Sequence, residues 1–400
     1  MTASQYDAIV VGARCAGSPT AMLLARKGYR VLMVDRATFP SDTVSTHLIH
    51  PPGMTALRKW GLDSLLTASA CPPISTYAFD FGEVILAGSP GTAESPVSYS
   101  PRRTVLDKLL LDAAADAGVD VREAFTVEAL IFDGGRVTGI RGHSRGGDQV
   151  AEHARLVIGA DGRHSMVARE VGAESYNERP EIEASYYSYW SGLPMNGRCE
   201  FYQRGTRGFA VWPTNDDLTL LVGGWPYAEF QENRKDVEGN FMRSIEMVPE
   251  FAERVRAGKR ETRWVGAAVP NFFRKPFGPG WALVGDAGYN KDFVTAQGIS
   301  DAFRDAELCA TAADAWLSGS RGFDDVMTEY RDTRDEHSLP RFEYACEIAS
   351  FAPPPPEQVS VMTAMMGNQE AMDGFARVFS GVLAPPEFFN EENIGKILST

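Results

Sequence analysis

The segment YDAIVVGARCAGSPTAMLLARKGYRVLMVDR, residues 6–36, decides the fold of this chain. Its apolar, β-branched run Tyr6–Val11 is typical of a strand buried on both faces. Ser18–Lys27 has helical composition, and Arg30–Val34 predicts a second strand that ends at Asp35. Strand, turn, helix, strand and acid therefore follow one another in the order of a βαβ dinucleotide-binding unit.

The turn between the first strand and the helix carries an incomplete glycine fingerprint. Its three glycine positions hold Gly12, Arg14 and Gly17. A helix N-terminus after such a turn attracts a pyrophosphate, and the acid at the second strand can bind ribose hydroxyls. Arg14 must either turn its side chain away or lay it along the phosphates. The alternative is an ordinary βαβ packing turn with no ligand.

Composition limits the classes of function. The chain has 400 residues, 44% of them hydrophobic, and a formal net charge of −14. The length suggests two or three lobes, and the acidic balance argues against binding to nucleic acid or to anionic membranes. No charged-then-apolar leader precedes the first strand, and no apolar run approaches the roughly 20 residues that span a bilayer. We therefore expect a protein without stable membrane insertion.

Cysteine and histidine usage predicts neither disulfides nor a metal site. The cysteines are odd in number and scattered, without a CxxC pair, at Cys15, Cys71, Cys199, Cys309 and Cys346. This pattern favours a reducing, cytoplasmic location. His47 and His50 lie close in sequence, but no third ligand is near them.

Further along the chain, two acidic turns follow apolar strands. Asp161-Gly162 ends the run Gln149–Gly159, and Gly285-Asp286 follows Ala282–Val284. Ligands of α/β folds bind at such carboxyl ends of strands. A long helix is predicted to begin near Gln297, where its N-terminus offers free N–H groups and partial positive charge. A plain strand-ending turn is the alternative for each acidic turn.

Aromatic residues become dense between Tyr176 and Trp264, where strand-like runs recur. We expect a mostly antiparallel sheet that carries one wall of a substrate pocket. Most aromatic side chains serve only the core, so each member of the set is a candidate and no more. The candidate pocket residues are Tyr187, Tyr189, Trp190, Phe201, Trp212 and Trp225.

The predicted fold class is α/β (α+β), with a Rossmann-like domain, an inserted sheet and a C-terminal helical region. The Rossmann-like domain is discontinuous and is expected to comprise residues 1–72, 98–175 and 266–335. The sheet domain is expected to comprise residues 73–97 and 176–265, followed by helices over residues 336–400. Pro353–Pro356 is interpreted as a rigid connector, with a partner-binding motif as the alternative.

The Gly12 turn, Asp161-Gly162 and Gly285-Asp286, in this order, resemble the FAD-dependent aromatic hydroxylases of the p-hydroxybenzoate hydroxylase type. The opening GARCAGS is similar to that of a bacterial subgroup of FAD oxidoreductases, often of secondary metabolism. The resemblance covers roughly residues 6–330 and implies non-covalent FAD with NAD(P)H as a transient electron donor. It implies the following cofactor contacts: Gly12, Ala13, Arg14, Cys15, Ala16, Gly17, Asp35, Arg36, Thr46, His47, Arg103, Val127, Asp161, Gly285, Asp286, Gln297, Gly298 and Ile299.

Within these contacts, the resemblance assigns roles to a few residues. Arg103 would reach the FAD phosphates or ribityl chain, and Asp161 would support a site shared by FAD and the nicotinamide donor. Asp286 would bind ribityl or ribose hydroxyls, while Gln297–Ile299 would offer backbone donors to the flavin ring.

The chain departs from the family pattern beside the flavin. The family's PxxGQG is FVTAQG here, with Phe293 at the proline and Ala296 at the first glycine. Phe293, Thr295 and Ala296 are therefore candidates for the wall on the oxygen side of the flavin. The family's GDAAH is also changed, to Gly285-Asp286-Ala287-Gly288-Tyr289.

The resemblance implies an NAD(P)H-dependent monooxygenase that hydroxylates or epoxidises an aromatic or polyketide-like small molecule, as a monomer or homodimer. The first alternative is an FAD-dependent reductase or dehydrogenase of a carbon–carbon double bond. A flavin halogenase is a weaker alternative, because such enzymes carry a lysine that this chain lacks between Lys59 and Lys108. A non-catalytic FAD-binding protein is the alternative from another class.

Overall fold

The computed structural model describes residues 6–399, so the ends of the predicted segments 1–72 and 336–400 lie partly outside it. Its strands are β1 (Tyr6–Val11), β2 (Val31–Val34), β3 (Pro73–Ile74), β4 (Thr76–Asp80), β5 (Ile85–Gly88), β6 (Ser98–Tyr99), β7 (Asp120–Arg122), β8 (Phe125–Asp133), β9 (Arg136–Ser144), β10 (Gln149–Gly159), β11 (Ser175–Arg179), β12 (Glu183–Ser191), β13 (Arg198–Arg204), β14 (Arg207–Pro213), β15 (Thr219–Pro226), β16 (Lys259–Arg260), β17 (Val265–Ala267), β18 (Asn271–Arg274), β19 (Phe277–Gly278), β20 (Trp281–Leu283) and β21 (Tyr289–Asn290).

The helices are α1 (Gly17–Ala25), α2 (Pro51–Trp60), α3 (Asp63–Ala68), α4 (Arg103–Asp116), α5 (Met166–Glu170), α6 (Phe230–Asn233), α7 (Val237–Ile245), α8 (Pro249–Ala257), α9 (Gly298–Leu317), α10 (Phe323–Ile348), α11 (Pro356–Met365), α12 (Gln369–Phe379), α13 (Pro385–Phe388) and α14 (Glu391–Leu398). Short 3-10 helices span Tyr227–Glu229, Gly285–Ala287 and Phe293–Thr295.

The first sheet is built around β1. Its order is β19-β20-β10-β1-β2-β7, and the pairs from β20 to β7 are parallel. Strand β1 is flanked by β10 and β2, and its apolar residues enter two cores on opposite faces of the sheet, as its composition predicts. Helices α1, α2, α4 and α9 share one core on one side of the sheet, and the β8-β9-β10 meander covers the other.

The second sheet has the order β16-β12-β15-β14-β13-β4-β5, with β17 also paired to β12. Its pairs are antiparallel except β13 with β4, which run parallel. Helix α12 packs against β5, and Phe375 and Phe379 of this helix enter the same core as Phe79 of β4. The C-terminal helices therefore close one face of this sheet.

The predicted fold class is confirmed: a Rossmann-like parallel sheet, a mostly antiparallel second sheet and a C-terminal helical region. One local prediction was wrong. The composition of Met54–Leu66 predicts one short helix, but Gly61 adopts a left-handed conformation with φ 76° and ends α2 at Trp60. Helix α3 is a separate helix that begins at Asp63.

Candidate active site

The glycine turn after β1 requires glycine at two of its positions. Gly12 has φ +106°, and a Cβ there would lie 2.4 Å from the carbonyl oxygen of Ala160. A Cβ on Gly17 would lie 1.8 Å from the carbonyl oxygen of Gly12. Both distances are far below van der Waals contact, so a side chain at either position would push the turn away from β10 or from α1.

Asp35, at the end of β2, closes the same turn. Its carboxylate accepts a hydrogen bond from the backbone N–H of Ala13 at 2.8 Å and another from that of Ala37 at 2.8 Å. The side chain is only partly buried and lines a cleft beside the turn. Asp35 thus fixes the turn while a carboxylate face stays accessible to a ligand.

Arg14 turns its side chain away from the glycine turn and towards Asp107 of α4. The Arg14 guanidinium is paired with the Asp107 carboxylate, and also donates to the Ser41 hydroxyl at 3.0 Å. This contact favours the first of the two orientations that the sequence left open, and Arg14 still lines the cleft.

Asp107 joins three residues that sequence analysis placed at the cofactor. Besides Arg14, it accepts from Nε and Nη2 of Arg103 at 3.0 and 2.8 Å, and from the Cys15 thiol at 3.4 Å. Burial alone would lower the pKa of Arg103, but Cys15 and Asp107 raise it above its ordinary value. Sequence analysis missed Asp107, although its i,i+4 spacing from Arg103 on a helix was a usable signal.

Asp286 lines the same cleft as Asp35 and lies in the turn after β20. Desolvation by the surrounding protein raises its pKa to about 6, against the opposing effects of Arg103 and Arg163. Its side chain is open to the cleft, and no donor among residues 6–399 satisfies its carboxylate. An acceptor of this kind is suited to hydroxyl groups of a bound ligand.

Asp161 has a structural role in addition to its position in the cleft. Its carboxylate accepts from the Ser165 hydroxyl at 2.5 Å and from the backbone N–H of Met166 at 2.6 Å, at the start of α5. These bonds explain the Asp-Gly-x-x-Ser pattern locally, because Ser165 in turn caps the helix by accepting from Ala168 at 2.9 Å.

The N-terminus of α9 faces the cleft at Gly298 and Ile299. The side chain of Gln297 is directed elsewhere: it accepts from Nζ of Lys291 at 2.6 Å and donates to the Phe379 carbonyl at 2.9 Å. A Cβ on Gly298 would have no neighbour within 4 Å, so the backbone there is open to a ligand. The start of this 20-residue helix therefore offers N–H groups and positive potential to the cleft.

His47 and His50 are both buried and neutral. Burial lowers the pKa of His47 to about 3 and that of His50 to about 4. Nε2 of His50 donates to the Thr295 carbonyl at 2.9 Å, and its Nδ1 is 2.7 Å from the Tyr77 hydroxyl. His47 is hydrogen bonded to Tyr189 and stacks on its ring with centroids 5.9 Å apart. Among residues 6–399 no group of side chains suits a metal ion.

Two cavities meet at the centre of the molecule. The cleft around the glycine turn encloses about 670 Å³, and an apolar cavity of about 1070 Å³ lies beside it. The residues that line both are Thr46, Ser185, Val222, Phe293 and Ala296. A molecule in the apolar cavity would therefore contact a ligand in the cleft.

Aromatic side chains from the second sheet and the C-terminal helices form the wall of the apolar cavity: Phe79, Phe81, Phe201, Trp212, Phe375, Phe379 and Phe389. Pro353–Pro355 lines the cavity as well. The proline run thus joins α10 to α11, as the connector interpretation expects, and contributes to the cavity wall. The contribution of α12 was missed, although Phe375 and Phe379 have the i,i+4 spacing of one helical face.

The structure separates the predicted pocket residues into those that line a cavity and those that lie only in the core. Tyr187 lines the cleft, and Phe201 and Trp212 line the apolar cavity. Tyr189 packs against His47 in the core between them. Trp190 and Trp225 lie in another core cluster, together with Phe241 of α7, and line neither cavity. They therefore support the sheet from its other face.

Most of the predicted cofactor residues line the cleft; Ala13, Gly17, His47 and Gln297 do not. Phe293 and Ala296 of the predicted wall lie at the junction with the apolar cavity, whereas Thr295 is behind them, bonded through its carbonyl to His50. A tight glycine turn, the Asp35 carboxylate at the end of β2, the Asp286 carboxylate without a donor and an open helix N-terminus all line one cleft. These features fit an FAD molecule bound in extended form.

Residues 5–338 match the FAD binding domain family, which covers most of the chain. The digeranylgeranylglycerophospholipid reductase 2 of Methanothermobacter thermautotrophicus is 33% identical over 79% of this chain and 80% of its own. Among solved structures, a flavoprotein/dehydrogenase from Cytophaga hutchinsonii superposes with a TM-score of 0.83 at 19% identity, covering 98% of each chain. PqsL of Pseudomonas aeruginosa, described as a probable FAD-dependent monooxygenase, gives a TM-score of 0.72 at 20% identity, covering 99% of this chain and 100% of its own.

Fold, cleft and comparisons define an FAD-dependent oxidoreductase. The chain belongs to the FAD binding domain family, and the resemblance to the p-hydroxybenzoate hydroxylase superfamily is confirmed. None of the helices between residues 6 and 399 has the length and apolar composition that a bilayer-spanning segment requires.

Proposed function

We propose that this protein uses FAD to reduce a carbon–carbon double bond in an extended, apolar substrate of isoprenoid or polyketide type. The observation that carries the proposal is the apolar cavity of about 1070 Å³ that opens directly onto the cofactor cleft. A cavity of that size and aromatic lining suits a long hydrocarbon better than a small, single aromatic ring.

The chain's own groups would hold FAD as follows. The N-terminus of α1 and the Gly12 turn would face the pyrophosphate, and Asp35 would accept hydrogen bonds from the adenosine ribose. Arg103, held in place by Asp107, would contact the phosphates or the ribityl chain. Asp286 would accept hydrogen bonds from hydroxyl groups of the ribityl chain. The N-terminus of α9 would stabilise negative charge on the pyrimidine ring of the flavin. Bound FAD, reduced by NAD(P)H, supplies a hydride.

The cavity walls would orient the substrate and exclude water. Phe293 and Ala296 lie where the two cavities meet, so they would separate the flavin side from the hydrocarbon side of the site. Phe201 and Trp212 would contact the hydrocarbon itself. Apolar contact is non-directional, so these walls select for length and shape more than for one functional group.

The curated relatives support reduction over oxygen transfer. Eight sequence relatives with 26–33% identity share the name digeranylgeranylglycerophospholipid reductase. Solved structures with less than 25% identity share the fold and so leave the reaction open. Reduction was the first alternative from the sequence, and the relatives move it ahead of the monooxygenase interpretation.

Oxygen transfer to an apolar substrate is the second candidate, and the enclosed wall at Phe293 favours it. A dry wall protects reactive oxygen species from water, as a monooxygenase requires. A halogenase fits less well, because the lysine that lines the cleft, Lys291, is already paired. Its ammonium lies 2.8 Å from Asp301 and 2.6 Å from Gln297.

A single-turnover experiment without oxygen tests the proposal. Protein with FAD reduced by NAD(P)H or dithionite is mixed with a geranylgeranyl lipid under argon, and the oxidised flavin absorbance is followed. We expect the absorbance to return, because only a double bond can accept the hydride. The saturated phytanyl analogue is the control and should give no return. No return across a panel of isoprenoid, polyketide and aromatic alkenes would contradict the proposal.

A further inference from the structure

Two buried carboxyl groups meet at the boundary between the cofactor cleft and the apolar cavity. Glu183 is the first residue of β12, and Asp292 precedes the 3-10 helix Phe293–Thr295. The two residues are 2% and 1% exposed, and each side chain is placed to act on the pKa of the other, by charge and by hydrogen bonding for Glu183 and by hydrogen bonding for Asp292. Neither Glu183 nor Asp292 is among the predicted cofactor contacts or the predicted pocket residues.

The burial of both acids favours a pair that holds a proton. Two carboxylates cannot hydrogen bond unless one of them is protonated, and two adjacent buried negative charges are strongly unfavourable. Oδ1 of Asp292 accepts from the backbone N–H of Val294 at 3.0 Å, whereas no side chain among residues 6–399 other than that of Glu183 is placed to donate to Oδ2. Burial, followed by the charge of Asp292, raises the pKa of Glu183 well above its ordinary value.

Among residues 6–399, no ion pair joins a cation to Glu183 or Asp292. Lys291, the neighbour of Asp292 in the sequence, directs its ammonium to Asp301 at 2.8 Å. On α10, the Cys346 thiol is close enough to Asp292 for that charge to raise its pKa, and Glu343, which lines the apolar cavity as Glu183 does, is paired with Arg179. On β12, the Ser185 hydroxyl hydrogen bonds to Glu183. A shared proton is therefore the means by which the structure tolerates the two acids.

The two acids face different cavities. Glu183 lines the apolar cavity, and Asp292 lines the cofactor cleft. Gly224 on β15 keeps the space beside Glu183 open, because a Cβ there would lie 2.6 Å from Oε2 of Glu183. The shared proton is thus positioned at the point where a substrate in the apolar cavity would approach a cofactor in the cleft.

We propose that Glu183 and Asp292 form a proton-donating pair, with Glu183 as the group that protonates the substrate. This inference rests on the proposed reduction. The hydride from reduced FAD forms one C–H bond, and the proton from Glu183 forms the other as the π bond breaks. FAD is oxidised, the substrate gains two hydrogens, and the pair keeps one extra negative charge until solvent returns a proton.

The pH dependence follows from the same assignment. The pair donates only while it holds its shared proton, so the reduction rate should fall as pH rises through the upper apparent pKa of the pair. Burial raises the pKa of Asp292 to about 6. This pKa is the lower limit of the pH range over which the pair holds one shared proton. Glu183→Gln removes the donor and should abolish the alkaline limb, whereas Asp292→Asn removes the neighbouring charge and should shift the limb to lower pH.

The first test needs no turnover. Infrared difference spectra of the purified protein at neutral pH should show a protonated carboxyl band that shifts in heavy water. The band should be lost in Glu183→Gln and keep its intensity in Glu200→Gln. Glu200 is the matched control, because it is also buried on the second sheet but pairs with Arg254 at 2.8 Å. A band that persists in both Glu183→Gln and Asp292→Asn would overturn the shared proton.

The second test separates this inference from the proposed function. With the geranylgeranyl lipid, Glu183→Gln should slow flavin reoxidation about 100-fold, the scale of general acid catalysis, while its reduction by NAD(P)H stays within about twofold. Glu200→Gln should match the parent in both steps. If the parent reduces the lipid and Glu183→Gln does so equally fast, the proton-donor role is wrong and the reductase stands. If the parent reduces no alkene, both are wrong.

Discussion

Asp107→Asn should lower the free energy of unfolding of the FAD-free protein by about 3 kcal/mol. The Asp107 side chain is fully buried and is paired with both Arg14 and Arg103. Removing one partner of a buried ion pair costs about 3–5 kcal/mol, because the remaining charge stays buried without compensation. The lower end applies, since the Arg14 side chain is 25% exposed and can reach solvent.

Saturating FAD should restore part of the loss in Asp107→Asn, because the cofactor phosphates would bring negative charge to the Arg103 guanidinium. The measurement is urea unfolding followed by circular dichroism, with and without FAD. Asp112→Asn is the matched control on α4: this exposed acid pairs with Lys108 at 2.5 Å, and its loss should cost under about 0.5 kcal/mol. Equal stability of the two variants would show that Asp107 does not hold the cluster together.

Gly17→Ala should weaken FAD binding about 100-fold while leaving the fold intact. An alanine Cβ at this position would lie 1.8 Å from the carbonyl oxygen of Gly12, so the turn must open. Overpacking of a tight contact costs about 3 kcal/mol, which corresponds to roughly two decades of affinity when binding needs the closed turn. The change therefore acts on the phosphate-binding geometry itself.

Flavin fluorescence titration of the FAD-free protein measures the effect of Gly17→Ala. Gly395→Ala is the control, because a Cβ at this position of α14 meets nothing within 4 Å. The control should bind FAD as the parent does, and helix content should be unchanged in both variants. Parent-like affinity in Gly17→Ala would show that FAD does not bind against this turn.

The parallel sheet was predictable because its signals are local. The apolar run of β1, the Gly12 turn and Asp35 each act within a few residues of one another, and β10 has the same β-branched composition. The positions of Asp161, Asp286 and the start of α9 followed from the rule that ligands bind at the carboxyl ends of parallel strands.

The contacts that depend on distant packing were not predictable. Asp107 reaches Arg14 across 93 positions of sequence, and Glu183 meets Asp292 only because the second sheet and the turn before α9 pack together. Trp190 and Trp225 were candidates for the pocket because strand composition does not indicate which face of a sheet covers which cavity. The aromatic wall from α12 depends on how the C-terminal helices close the second sheet.

The mass of the product tests the central claim most directly. Protein, FAD, NAD(P)H and a geranylgeranyl lipid are incubated under isotopically labelled dioxygen and, in parallel, under argon. The reductase account predicts a product that has gained two hydrogens and no labelled oxygen, in equal yield under both gases. A product that carries one labelled oxygen atom and forms only under dioxygen would contradict the account and establish a monooxygenase.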